Sequence, residues 1–157
     1  MPQGPMTFDE SEDFADQLFI VVENNEGAVL EPGKVCEFTN TTTDADQGRL
    51  VELVDTAVNA TTGIAAAVAG VVETTINTSE IGRLQVNGPA NVRASASIAA
   101  GRLVVASSIN ATNIGHVTEA VQTTTTAPDY IGAQVGFTLE NGPNATNARV
   151  QLTIASA

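Results

Sequence analysis

The sequence is dominated by short segments in which apolar and polar residues alternate, and turn residues separate these segments at short intervals. Residues 92–96 and 150–154 place an apolar side chain at every second position. This period of two is typical of β-strands that bury one face and expose the other. A chain of many short strands joined by turns predicts an all-β fold with little helix, either a β-sandwich or a small β-barrel.

Further segments extend the strand pattern over most of the chain. They are short runs rich in Val, Ile and Leu, bounded by Gly, Pro and Asn. The additional predicted strands are 18–22, 34–39, 49–54, 81–86, 102–106 and 115–121. The predicted turns between strands include Pro32-Gly33, Asn87-Gly88-Pro89 and Ala100-Gly101.

The core has to be built from small and β-branched side chains. Hydrophobic residues make up 43% of the 157 residues, but aromatic residues only 4%. A chain of this length forms one domain and buries roughly 68–70% of its unfolded surface, so neither a disulfide nor a metal is needed for folding. We therefore expect residues 17–157 to form a single β-rich domain that requires no cofactor.

Acidic residues are in large excess, and most of them lie in the first third of the chain. Asp and Glu total 18 against 6 Lys and Arg, which gives a net charge of −12. Contacts from Lys and Arg to phosphate supply most nucleic-acid affinity, and basic residues also attract anionic membranes. The charge therefore argues against nucleic acid and against a membrane surface as partners.

Residues 1–16 are predicted to form an extended acidic arm that precedes the domain. Five acidic residues fall within residues 9–16, and Phe8 and Phe14 lie among them. This composition does not suit a packed element. One interpretation is a solvated terminus. The other is an arm that binds a partner, in which Phe8 and Phe14 are the apolar anchors.

The most apolar stretch, residues 63–72, is too short for a membrane span, which needs about 20 apolar residues. Its Ala content permits a helix, whereas its glycines and its final Val71-Val72 favour a strand. The first residues of the chain also lack the basic and apolar regions of a secretory signal. We therefore expect a protein that is made in the cytoplasm and that does not enter a membrane.

Residue patterns that carry chemistry are nearly absent from the sequence. Cys36 is the only cysteine and His116 the only histidine, so neither a disulfide within the chain nor a site of paired histidines can form. The segment that begins with Asp44 and Asp46 is similar to a calcium-binding loop. In the EF-hand spacing, however, Gly48 would stand at a ligand position and Arg49 at the position of the invariant glycine. We predict that the protein is not an enzyme and binds no metal.

The second half of the chain resembles the capsid-decoration, or cement, proteins of tailed bacteriophages. The resemblance rests first on two strands joined by the turn Ile98-Ala99-Ala100-Gly101. It rests also on the segment from Ile131-Gly132 to Gly136 and on the alternating strand at the end of the chain. The upstream residues 31–35 are similar to the first strand entry of that family. The resemblance to this family spans residues 28–154.

The resemblance implies a β-tulip or small barrel without enzymatic activity. It also implies attachment to the outer surface of the phage head, with the major capsid protein as partner and a homotrimer as the assembled form. Two other classes stay open at this point. A head-fibre or other adhesion module would carry a receptor-binding tip, and a small enzyme on a β scaffold would carry a cleft with perturbed acid–base residues.

Overall fold

Nine β-strands account for the secondary structure in the computed structural model, which describes residues 17–39, 48–54, 68–107, 114–120, 134–140 and 147–154. The strands are β1 (Leu18–Asn24), β2 (Val35–Phe38), β3 (Leu50–Leu53), β4 (Val68–Val72), β5 (Ile81–Val92), β6 (Leu103–Ser107), β7 (His116–Glu119), β8 (Gln134–Thr138) and β9 (Ala148–Thr153). Within these ranges there is no helix, and hence none long and apolar enough to cross a bilayer. The prediction of an all-β fold is confirmed.

Five strands close into a barrel. The hydrogen-bonded order is β1-β3-β2-β4-β5, and β5 pairs in turn with β1. The β1–β3 pair is parallel, whereas the other four pairs are antiparallel. Closure removes the free edges that an open five-stranded sheet would expose.

Strand β5 belongs to two groups of strands. Its first half pairs with β1 and β4 in the barrel, whereas residues 87–92 pair with β9. Strands β8, β6 and β7 then follow β9. A parallel bridge between Ala94 and Val117 joins β7 to the segment after β5, and the Val117 N–H donates to the Arg93 carbonyl at 2.8 Å. The second group therefore curls back onto the end of β5.

The prediction of a turn at Asn87-Gly88-Pro89 is wrong. These residues lie inside β5, which is one strand of 12 residues. The predicted strand 81–86 is therefore the first half of β5. The predicted strand 92–96 begins at the last residue of β5 and continues into the segment that follows it. Gly88 has a φ of 90°, a backbone conformation open to glycine at little cost. Gly and Pro inside a strand mark a bulge or bend as well as they mark a turn.

Two apolar clusters hold the strands together. One fills the barrel and consists of Val22, Leu30, Cys36, Val51, Ala69, Val72, Ile76 and Leu84. The larger one joins the outer side of β2, β4 and β5 to the second group of strands, and Val35, Val71, Val104, Val135 and Leu152 are among its members. Alternation along β2 and β4 sends neighbouring side chains into different clusters, which explains why every residue of Val68–Val72 is buried. The Ala-rich segment is therefore a strand at 68–72, and residues 64–67 lie outside the described part.

Candidate interaction surface

Cys36, the one cysteine of the chain, is the first residue to consider for nucleophilic chemistry. Cys36 is fully buried in the barrel cluster. Burial, and then the charges of Glu26 and Glu37, raise the pKa of its thiol. A thiol that holds its proton is a poor nucleophile and a poor metal ligand. Among the described residues, His, Cys, Asp and Glu side chains form no group of three or more that could hold a metal ion.

An apolar patch covers the outer surface of the barrel where β1 and β5 pair. Val21 is 67% exposed and Ile81 is 72% exposed. They alternate with inward-facing neighbours such as Val22, which is buried. Val21 lies opposite Arg83 in the register of the two strands, and Ile81 lies opposite Glu23. The two apolar side chains therefore lie on adjacent rungs of the same face.

Phe19 and Arg83 complete this patch. The Arg83 guanidinium carbon is 5.0 Å from the centroid of the Phe19 ring, which is within the range of a cation–π contact. The same guanidinium donates to Glu73 at 2.8 Å from Nη2 to Oε2. Phe19, Val21, Ile81 and Arg83 are called the β1–β5 face below.

A second surface, on the other group of strands, exposes Phe137 and Leu139. Leu103, Phe137, Gln151 and Pro89 are successive partners across β6, β8, β9 and β5. Phe137 and the nearby Leu139 are about half exposed. Single exposed apolar residues are ordinary on protein surfaces, but adjacent ones are typical of interaction sites.

A third feature is basic. Lys34 precedes β2, Arg93 follows β5, and His116 begins β7. The backbone brings these segments together: the Arg93 N–H donates to the Gly33 carbonyl at 2.8 Å, and the Val35 N–H donates to the Gly115 carbonyl at 2.7 Å. Lys34, Arg93 and His116 therefore lie where the barrel meets the second group of strands, and they are called the basic seam below.

The sequence predicted only part of these surfaces. Phe8 and Phe14, the predicted anchors, lie outside the described residues, as do Asp44 and Asp46. His116 is on a strand as expected, but its convergence with Lys34 and Arg93 was missed. Residues 18–22 carried a signal for the β1–β5 face. A strand that buries one face needs an apolar residue only at every second position, so five consecutive apolar residues indicate that the other face is apolar too.

Comparisons with known proteins give a likeness to a solved structure. No protein-family model matches the chain, and no curated protein matches it in sequence. Among solved structures, the N base of head fiber gp8.5 of bacteriophage phi29 is similar, with a TM-score of 0.53, over 89% of this chain and 98% of that one. The two chains are only 7% identical over this match, so the likeness shows a shared fold.

Proposed function

We propose that this protein is a structural component of a tailed-phage head, and that it attaches to the outer surface of the head shell. The main support for this proposal is that nearly the whole chain is similar in fold to a head-fiber base. The sequence resemblance to capsid-decoration proteins is a second, separate line of support for a head protein. Its partner would be the major capsid protein, and copies of the chain would meet as trimers on the shell.

The surface properties suit this function. The net charge of −12 keeps the protein soluble and away from nucleic acid. The β1–β5 face offers two largely exposed apolar side chains on a rigid, closed barrel, and we propose it as the contact with the shell. Fully burying a Val or Ile side chain contributes roughly 1.5–3 kcal/mol, so two such residues could dominate an attachment energy.

A head-fibre base is the second candidate, because the structural neighbour is one. The two candidates differ in what lies above the domain. A decoration protein ends at the shell surface, whereas a fibre base carries a projecting fibre. Both require attachment to the head, so the attachment experiments below do not depend on the choice between them.

Electron cryomicroscopy of heads from the phage that encodes this chain tests the proposal. We expect density of this fold on the outside of the shell, clustered in threes, which disappears when the gene is deleted. A projecting rod above each cluster would identify a fibre base, and its absence a decoration protein. Heads whose maps are identical with and without the gene would refute a head function.

The attachment face can be tested with purified protein and heads that lack it. Val21→Glu combined with Ile81→Glu should abolish attachment while thermal melting stays near that of the native protein, because both positions are exposed. The matched control places the same two charges at exposed positions elsewhere, Ala99→Glu with Asn147→Glu. If the control loses attachment equally, general repulsion rather than the β1–β5 face is responsible.

A further inference from the structure

The basic seam is the unexpected electrostatic feature of this protein. The chain has 18 acidic side chains, yet its only lysine and its only histidine meet one of its few arginines at a single place. Like charges that converge repel one another, and burial adds a desolvation cost. Such clusters with perturbed ionisation are more frequent at functional sites than elsewhere.

The side chains of the seam are held in place by the backbone around them. The Lys34 ammonium donates to the Ile114 carbonyl at 2.8 Å. The Arg93 Nε–H donates to the Pro32 carbonyl at 3.2 Å, and its Nη1 lies 3.0 Å from Glu31 Oε2. Among the described residues, one neighbour orients the Lys34 ammonium and two orient the Arg93 guanidinium. Both cations keep further N–H groups, since an ammonium has three donors and a guanidinium five.

The positive charge at the seam is only partly balanced within the described residues. Glu31 is the acidic side chain seen to pair there, and it pairs with Arg93. Burial and then the charge of Arg93 lower the pKa of Lys34, although Glu31 acts in the opposite direction. The His116 Nδ1 is buried and has no hydrogen-bond partner in the described part of the chain. Burial, Lys34 and Arg93 lower the pKa of His116.

We propose that the basic seam is a recognition site for a carboxylate side chain carried by an acidic segment of a partner protein. A carboxylate would accept from Lys34 and Arg93 and would offset their mutual repulsion. Arg93 remains 37% exposed in its side chain, so the site is open to a partner. A nucleic acid is disfavoured because the net charge of −12 repels a polyanion over its whole length, whereas one carboxylate responds mainly to the nearby charges.

Solution NMR of the intact chain tests this site without any virion. The probe is a short peptide of alternating Glu and Ser, and the matched probe is the same peptide with Gln in place of Glu. We expect the Glu peptide to shift the His116 ring signals and the Arg93 Nε–H signal in a saturable way and to raise the pKa of His116. The Gln peptide should cause neither change.

Variants locate the site on the protein. Lys34→Gln should weaken binding of the Glu peptide about two- to five-fold, the range expected for one ion pair at a protein surface, and Lys34→Arg should restore it. His116→Gln provides a second test if Lys34→Gln does not fold, since it should remove the pH dependence of binding. Arg102→Gln, which removes an arginine paired with Glu119 outside both the seam and the β1–β5 face, is the matched control and should bind as the native protein does.

Three outcomes would overturn the proposal. The Gln peptide could bind as well as the Glu peptide, or the shifts could map away from the seam. A short DNA duplex could also bind more tightly through the same residues, which would make the seam a nucleic-acid site. None of these outcomes bears on attachment to a phage head, so this inference and the proposed function fail independently.

Discussion

Replacement of Gly136 by Ala should destabilise the protein strongly, because β8 and β9 approach too closely there for a side chain. A Cβ at position 136 would lie 2.0 Å from the backbone oxygen of Gln151. Ordinary contact begins near 3.4 Å, so the strands would have to separate by about 1.4 Å at this rung. Gly136 lies opposite Leu152 in the β8–β9 pair, and the displaced atoms are backbone, which cannot rotate away.

The expected cost follows from what the separation breaks. Two ladder hydrogen bonds at about 0.5–1.5 kcal/mol each, together with residual backbone strain of about 1–3 kcal/mol, predict a loss of about 2–6 kcal/mol in the free energy of unfolding. Urea denaturation, compared at equal m-value, measures it. The expected loss of stability comes from the hydrogen bonds between β8 and β9, because the substitution removes no side chain.

Two glycine controls make the test specific. Gly27 has open space around its Cβ position and no positive φ, so Gly27→Ala should change stability by less than about 1 kcal/mol. Gly101 also has open space but a φ of 73°, so Gly101→Ala should cost about 1–2 kcal/mol from backbone conformation alone. If Gly136→Ala were no worse than Gly101→Ala, the close approach of the two strands would be refuted.

Three further outcomes are expected. The lowered pKa of His116 means that the unfolded chain takes up a proton first as the pH falls. Stability should therefore drop below about pH 6.5 until the folded pKa is passed, and the melting temperature of His116→Gln should lack this step. A strong chelator should leave the melting temperature unchanged, since we predict no metal; a large drop would contradict that. Phe8→Ala with Phe14→Ala should weaken attachment to heads nearly as much as deletion of residues 1–16, and unchanged attachment would make the arm a solvated terminus.

The strands were predictable because their signal is local. Residues 150–154 alternate and lie in or next to β9, and the run at 18–22 lies in β1. The turn at Pro32-Gly33 also forms as predicted. Each of these rests on a few consecutive residues, whose spacing and turn chemistry are enough to specify the local backbone.

The contacts between distant segments were not predictable from the same signals. The parallel pairing of β1 with β3 and the meeting of Lys34, Arg93 and His116 depend on which strands become neighbours, and no local pattern encodes that. Glu37 shows the same limit within a strand. No local pattern around it indicates burial, but β2 lies between β3 and β4, and Glu37 is only 6% exposed.

The salt response of attachment will separate apolar from ionic contacts with the shell. Exposed ion pairs contribute about 0–1 kcal/mol each and weaken with salt, whereas each apolar side chain that becomes fully buried contributes roughly 1.5–3 kcal/mol and does not. Because Val21 and Ile81 are about 70% exposed, we expect their burial to outweigh the arm acids and the basic seam. Affinity for decoration-free heads should then hold as salt rises, while the association rate changes. A loss of affinity greater than about tenfold, or 1.4 kcal/mol, between low and physiological salt would assign the attachment to charges instead of the β1–β5 face.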